Sequence, residues 1–197
     1  MAKMKPILFS GQMVNAILDN RKTVTRRIAK FNEWAIANER EYNTVSLVDK
    51  LNGKSGLWVG FDRGIDDPVY FKSPYQPGDI LWVRETWMPE TEEGIPTGGF
   101  IYRATNNPEP DCDRPIKWRP SIFMPLRACR LFLRVVDVRP ERLQEITQSD
   151  IVKEGIESGD IKELAALWDK INGKRSPFDS NPWVWRNEFE KLDGRPE

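Results

Sequence analysis

The chain of 197 residues has no histidine and only two cysteines, Cys112 and Cys129. Without an imidazole neither a Ser-His-Asp nor a Cys-His site can be built, and a zinc site of cysteine and histidine has too few ligands. No metal and no cofactor is therefore expected. So few thiols point to a reducing compartment, with Cys129 as a core residue. No apolar run reaches the ~18 residues of a membrane span, and the opening M-A-K-M-K-P-I-L-F-S has too short an apolar part for a secretory signal, so a cytoplasmic protein with no membrane contact is expected. Net charge is missing as well. Lysine plus arginine and aspartate plus glutamate stand at 30 each, and the total says nothing about partners.

Local charge says more. Arg21, Lys22, Arg26, Arg27 and Lys30 lie between Asn20 and Asn32 with no acid among them. Between Asp113 and Arg139 the bases Arg114, Lys117, Arg119, Arg127, Arg130, Arg134 and Arg139 face only the acids Asp113 and Asp137. If the two segments share a face, they form a polyanion-binding surface on a neutral protein.

The length suits one domain, 1–197, with an elaboration. Pro6 to Phe9 reads as a strand, and Ser10 caps a helix from Gly11 to Asp19 with Met13, Val14, Ile17 and Leu18 at helical spacing. After the Asp19-Asn20 stop comes N-R-K-T-V-T-R-R and a strand from Thr23 to Ile28. Its β-branched residues favour extended backbone, which puts Thr23 and Thr25 on one face beside fixed cations. Such a group can hold a phosphate or carbonyl oxygen, or activate a hydroxyl nucleophile next to an amine; as a solvated turn it would merely complement the negative end of the helix dipole.

From Ala29 to Pro77 periodicity fades, with a helix expected over Glu33 to Glu41 and glycines at 53, 56, 60 and 64 breaking up the rest. The segment reads as an insertion. Pro77-Gly78-Asp79 is a turn, and Ile80 to Met88 a strand with one charge in the middle of each face, Arg84 and Glu85, which form cross-strand ion pairs or line a pocket. After a glycine-rich loop, Phe100 to Arg103 is a further strand and Trp118 to Ala128 a covering loop. Cys129 to Arg139 alternates, with Leu131, Leu133 and Val135 opposite Phe132, Arg134 and Val136. A helix opens at the Thr147 and Asp150 cap and stops at Gly155, which leaves Glu154 in its last turn, opposed to the dipole and in want of a cation. Ile161, Leu164, Ala165, Trp168 and Ile171 make one core stripe of the next helix, and N-P-W-V-W-R-N-E-F is the closing strand.

A helix, a basic turn, then strands interrupted by two helices describe an α+β protein built on a small mixed β-barrel. The helix running into R-K-T-V-T-R, the P-G-D-I-L-W-V turn and strand, L-F-L-R-V-V-D-V followed by L-Q-E-I-T, and the closing W-V-W-R-N-E-F together resemble the ASCH family, a PUA-like β-barrel group linked to RNA. The resemblance is greatest to a group common in phages and prophages. With Ala29 to Pro77 left aside, it covers roughly two thirds of the chain.

The resemblance implies a site. Small bacterial members are N4-acetylcytidine amidohydrolases that use a lysine, a threonine and a glutamate. The pattern falls on Lys22, Thr25 and Glu154 here, with Glu157 a competitor for the acid. Burial beside Arg21, Arg26 or Arg27 would lower the lysine pKa, so that Lys22 deprotonates Thr25 while Glu154 serves the leaving amine. In the other division of roles Glu154 activates water and Lys22 polarises the carbonyl. Trp82 or Trp87 would stack on the pyrimidine, while core packing is the expected use of most of the eight tryptophans. The chain departs from the small enzymes in its length and in carrying Arg27 where they have an acid. Alongside the amidohydrolase stand two other readings: a non-catalytic RNA or DNA binder with Arg21, Lys22, Arg26, Arg27, Arg130 and Arg134 on phosphates, and a nuclease.

Overall fold

The computed structural model describes residues 4–29, 44–51, 54–62, 69–106 and 117–196. In chain order the elements are β1 (Met4–Leu8), α1 (Gly11–Leu18), β2 (Val24–Ile28), β3 (Thr44–Leu51), β4 (Lys54–Asp62), β5 (Val69–Lys72), β6 (Ile80–Arg84), β7 (Trp87–Glu92), β8 (Ile95–Tyr102), β9 (Phe132–Arg142), α2 (Gln148–Lys153), α3 (Ile161–Asn172) and β10 (Trp183–Leu192). The main sheet has the order β1-β6-β9-β10-β2, with β1 parallel to β6 and the other neighbours antiparallel. Together with its helices it makes the α+β, barrel-like architecture that the sequence suggests.

The inward and outward alternation of β9 organises the core. Leu133 and Val135 are fully buried, while Arg134 and Val136 face solvent. Val135 pairs with Phe189 and Asp137 with Glu188, so Val136 is the extra residue of a bulge; beyond it the phase shifts and Val138 turns inward. Strand β10 lies between β9 and β2 and is covered on both faces. Trp185 and Phe189 join Ile7, Val14, Ile17, Leu81 and Val83 in one cluster, while Val184 joins Leu143, Ile151, Leu164 and Trp168 in another. Each such side chain stabilises the fold by about 1.5–3 kcal/mol relative to exposure. The two clusters fix α1 on one face of the sheet and α2 with α3 on the other.

Several elements differ from the reading of the sequence. Strands β3, β4 and β5 form an antiparallel sheet of their own after the second strand. Gly56 and Gly60 lie inside β4 instead of ending it, since ladder hydrogen bonds come from the backbone and tolerate a missing side chain. The helix expected at Glu33 to Glu41 falls outside the described residues. The strand expected over Ile80 to Met88 is two strands, because the chain leaves the main sheet after Arg84 and re-pairs as the hairpin β7–β8. Glu93 and Gly94, both at positive φ (48° and 86°), make its two-residue turn, so Gly98 and Gly99 belong to β8 and not to a loop. In α3 only Leu164 and Trp168 of the expected stripe are buried; Ile161 and Ile171 are 41% and 64% exposed, because the helix overhangs the core at both ends.

Candidate active site

The turn from Asp19 to Thr23 is tied from two sides. The Arg21 and Lys22 amides both donate to the Ala16 carbonyl of α1, at 2.8 and 2.9 Å, and the Thr23 amide donates to Lys153 at the end of α2, at 2.9 Å. Asn20 takes the left-handed conformation that turns the chain out of α1. At the facing end of α2, Gly155 has φ +92°, and a Cβ there would sit 2.9 Å from Ala16 Cβ and 3.3 Å from Lys22 Cβ. Glycine is what allows α2 to close on Lys22.

Lys22 is thereby buried, 2% exposed, with its ammonium on three acceptors: Val24 O at 2.7 Å, Glu154 O at 2.8 Å and Glu154 Oε2 at 2.6 Å. Burial pulls its pKa down and Glu154 pushes it back up, while Arg27 and Arg26 add to the lowering; the net position is below the ordinary value of 10.5. Glu154, the last residue of its helical turn, receives the cation that its place against the helix dipole calls for. Its other oxygen, Oε1, accepts from Arg26 Nη1 at 3.2 Å. Glu157 lies on the surface, paired with Arg21 at 3.0 Å.

Behind this pair is a buried ionic layer that the sequence did not reveal. Arg26 also binds Glu141 through Nε and lies 3.4 Å from Asp150. Arg186 stands opposite Arg26 in the β10–β2 register and is held by Glu188 at 2.9 Å and Asp150 at 3.3 Å. Two buried guanidiniums side by side would be costly alone; Asp150 bridges them. Burial raises the Asp150 pKa, but Arg26, the Thr147 hydroxyl and Arg186 outweigh it and hold the carboxyl below its ordinary value. A depressed carboxyl contributes stability that is present above the unfolded value, ~3.9, and is lost as pH falls through the native one. Acid titration of wild type should therefore lose stability below about pH 4, and Asp150→Asn should show a shallower loss in that window. Equal slopes for the two proteins would remove Asp150 from this role.

Thr25 is 4% exposed, and among the described residues its hydroxyl has no hydrogen-bond partner. The strand holds it through its carbonyl, which accepts from Asn187 Nδ2 at 3.3 Å. Thr25, Lys22, Arg26, Arg27 and Glu154 line one cavity of about 470 Å³, whose apolar wall comes from Phe9, Leu164, Leu167, Trp168 and Ile171. The α3 face read from the sequence as core packing is thus partly cavity wall. Thr23 precedes β2 and does not share this cavity with Thr25, since the strand begins only at Val24.

Six further residues proposed from the sequence for binding lie elsewhere. Glu85 is buried and forked to Arg130 through Nε and Nη2 at 2.8 and 3.0 Å, and Arg130 stacks 4.1 Å from the Tyr102 ring centroid. Arg134 pairs with Glu190 at 3.0 Å, and Arg84 lies 5.2 Å over the Trp82 ring. Trp87 packs in a satellite cluster with Met124 and Ala128. Arg21 is likewise turned to the surface, held by Asp19 and Glu157. Pairing across strands or with near neighbours takes up these charges, and none of the seven residues lines the cavity. No His, Cys, Asp and Glu cluster with metal-binding geometry occurs among the described residues, and none of their helices is long and apolar enough to cross a membrane.

No family model matches the chain, and no curated protein matches it. Among solved structures it overlaps a protein of Enterococcus faecalis described under the family model DUF984, with TM-score 0.47 and 9% identity over 100% of this chain and 85% of that one. It also overlaps an ASCH domain from Lactobacillus crispatus, with TM-score 0.44 and 8% identity over 96% of this chain and 79% of the other. With so partial an overlap, the roles of Lys22, Thr25 and Glu154 have to come from this chain's own geometry.

Proposed function

We propose that the chain is an amidohydrolase of N-acylated pyrimidine nucleosides of the N4-acetylcytidine type, with Lys22, Thr25 and Glu154 as its catalytic residues. The observation that carries this reading is one cavity holding a lysine and a glutamate in 2.6 Å contact together with a threonine whose hydroxyl has no hydrogen-bond partner among the described residues. In the reacting state the Lys22 ammonium passes one proton to Glu154 across their contact and is left a neutral amine. Thr25 Oγ attacks the acyl carbon as its proton passes to Lys22, and the C–N bond breaks as Glu154 protonates the leaving N4 amine. Water then cleaves the acyl-threonine, giving its proton to the Glu154 carboxylate while Lys22 returns one to Thr25. Both residues end as they began. In the resting ammonium all three Nζ hydrogens have acceptors, so none is left to donate to the substrate carbonyl, and Lys22 is assigned to proton transfer instead.

The same saturation of Lys22, with Arg26 fastening Glu154, favours a second reading: a non-catalytic pocket for a modified base or an RNA nucleotide. Release of cytidine from N4-acetylcytidine by the purified protein, followed by chromatography, separates the two. Turnover is the expected result. Binding of cytidine without any release of it would leave the binding module as the function.

A further inference from the structure

We infer that the basic cleft at the C-terminal end of α3 is a phosphate subsite, so that the ligand of the neighbouring cavity carries a phosphate beside its base. This rests on the reading of that cavity as a base pocket. The cleft, about 600 Å³, shares Arg26, Arg27, Ile171 and Asn172 with the catalytic cavity and adds Lys170, Lys174 and Arg175. The two spaces therefore adjoin along a common wall.

Lys170, Lys174 and Arg175 are exposed, and among the described residues none forms an ion pair. The cleft has one acid, Asp169, whose Oδ1 accepts from the Phe178 amide at 2.7 Å, against the five cations Arg26, Arg27, Lys170, Lys174 and Arg175. Cations near a helix C-terminus also offset the helix dipole, which accounts for Lys170 within the last turn. It does not account for Arg27, which comes from β2 on the opposite wall. Arg27 is half-buried and has no carboxylate partner among the described residues. Its Nη2 donates to Leu8 O at 2.6 Å and its guanidinium lies 5.2 Å over Phe9, which fixes the fork where the two spaces meet. A partly desolvated guanidinium facing three free cations suits a phosphate, which accepts several charge-assisted hydrogen bonds at once. A nucleotide's own phosphate and the phosphodiester of a strand share this chemistry.

The test is equilibrium binding by the full chain of cytidine, cytidine 5′-monophosphate, a cytidine trinucleotide and ribose 5-phosphate. The monophosphate should bind at least about tenfold tighter than cytidine, and the gap should narrow as salt rises. Lys174→Glu with Arg175→Glu, both at exposed positions, should erase the gap. Ribose 5-phosphate has no base, so its binding to wild type and loss in the double variant report on the subsite even where N4-acetylcytidine is not cleaved. A trinucleotide bound tighter than the monophosphate identifies a strand as the source, and the reverse a free nucleotide. Equal affinity for cytidine and its monophosphate, or a preference that survives the double reversal, overturns the inference.

Discussion

Glu154→Ala should destabilise the fold by about 3–5 kcal/mol and abolish cytidine release. The change leaves Lys22 buried with its ammonium short of an acceptor, and removes one of the acids that neutralise Arg26; a buried charge stripped of its partner costs far more than the intact pair contributes. Lys22→Met combined with Glu154→Leu should recover much of that loss, because an apolar pair replaces an ionic one in a space closed by Gly155 and Ala16. Activity should not return with it. Urea unfolding followed by circular dichroism, run beside the turnover assay, checks both halves. A double variant that regains stability and still hydrolyses N4-acetylcytidine would show that the pair is structural and that the chemistry lies elsewhere.

Thr25→Val should behave in the opposite way. The hydroxyl has no hydrogen-bond partner to lose among the described residues, and valine matches threonine in shape and in strand preference, so stability should change by under ~1 kcal/mol. Turnover should fall on the order of 10³-fold or more if the hydroxyl is the nucleophile, since only hydrolysis that bypasses the acyl-enzyme remains. Mass spectrometry of wild type quenched during turnover should find one acyl group on the peptide that contains Thr25. Undiminished turnover in the valine variant would take Thr25 out of the chemistry and leave water, activated by Glu154, as the attacking group.

The two variants separate because the site has two kinds of residue. Lys22 and Glu154 sit in an ionic layer that the fold needs, so their removal is felt first as stability. Thr25 is buried but idle in the resting protein. Its hydroxyl lines the cavity without a protein partner, so a bound ligand can supply one.

Much of this was legible in the residues. Alternation in L-F-L-R-V-V gave β9, the Thr147 and Asp150 cap gave the start of α2, and the spacing from Gly11 gave α1, because each depends on neighbours within one or two turns or pleats. The lone acid at the end of α2 announced that it needed a cation. What went unread has a common cause. Arg130 and Arg134 looked like a phosphate-binding surface because a charge does not name its partner; the chain beyond β6 handed Arg130 to Glu85, an ion pair of the kind already open for Glu85, and the β9–β10 register put Arg134 against Glu190. Ile171 looked like core because helical spacing gives a face and not how far the neighbouring core extends.

The sequence by itself determined which chemistries are open. With no histidine and two cysteines, the candidate nucleophiles and bases come down to hydroxyl, amine and carboxylate, and the dense basic turn set Lys22 and Thr25 three residues apart. Only the tertiary structure decided that Glu154, and not Glu157, meets Lys22, that Arg26 fastens the same carboxylate, and that α3 and Arg27 shape the space around them. Those contacts join residues more than a hundred positions apart. They depend on a glycine at positive φ, a bulge at Val136 and the strand order of one sheet, and no local pattern of side chains encodes that combination.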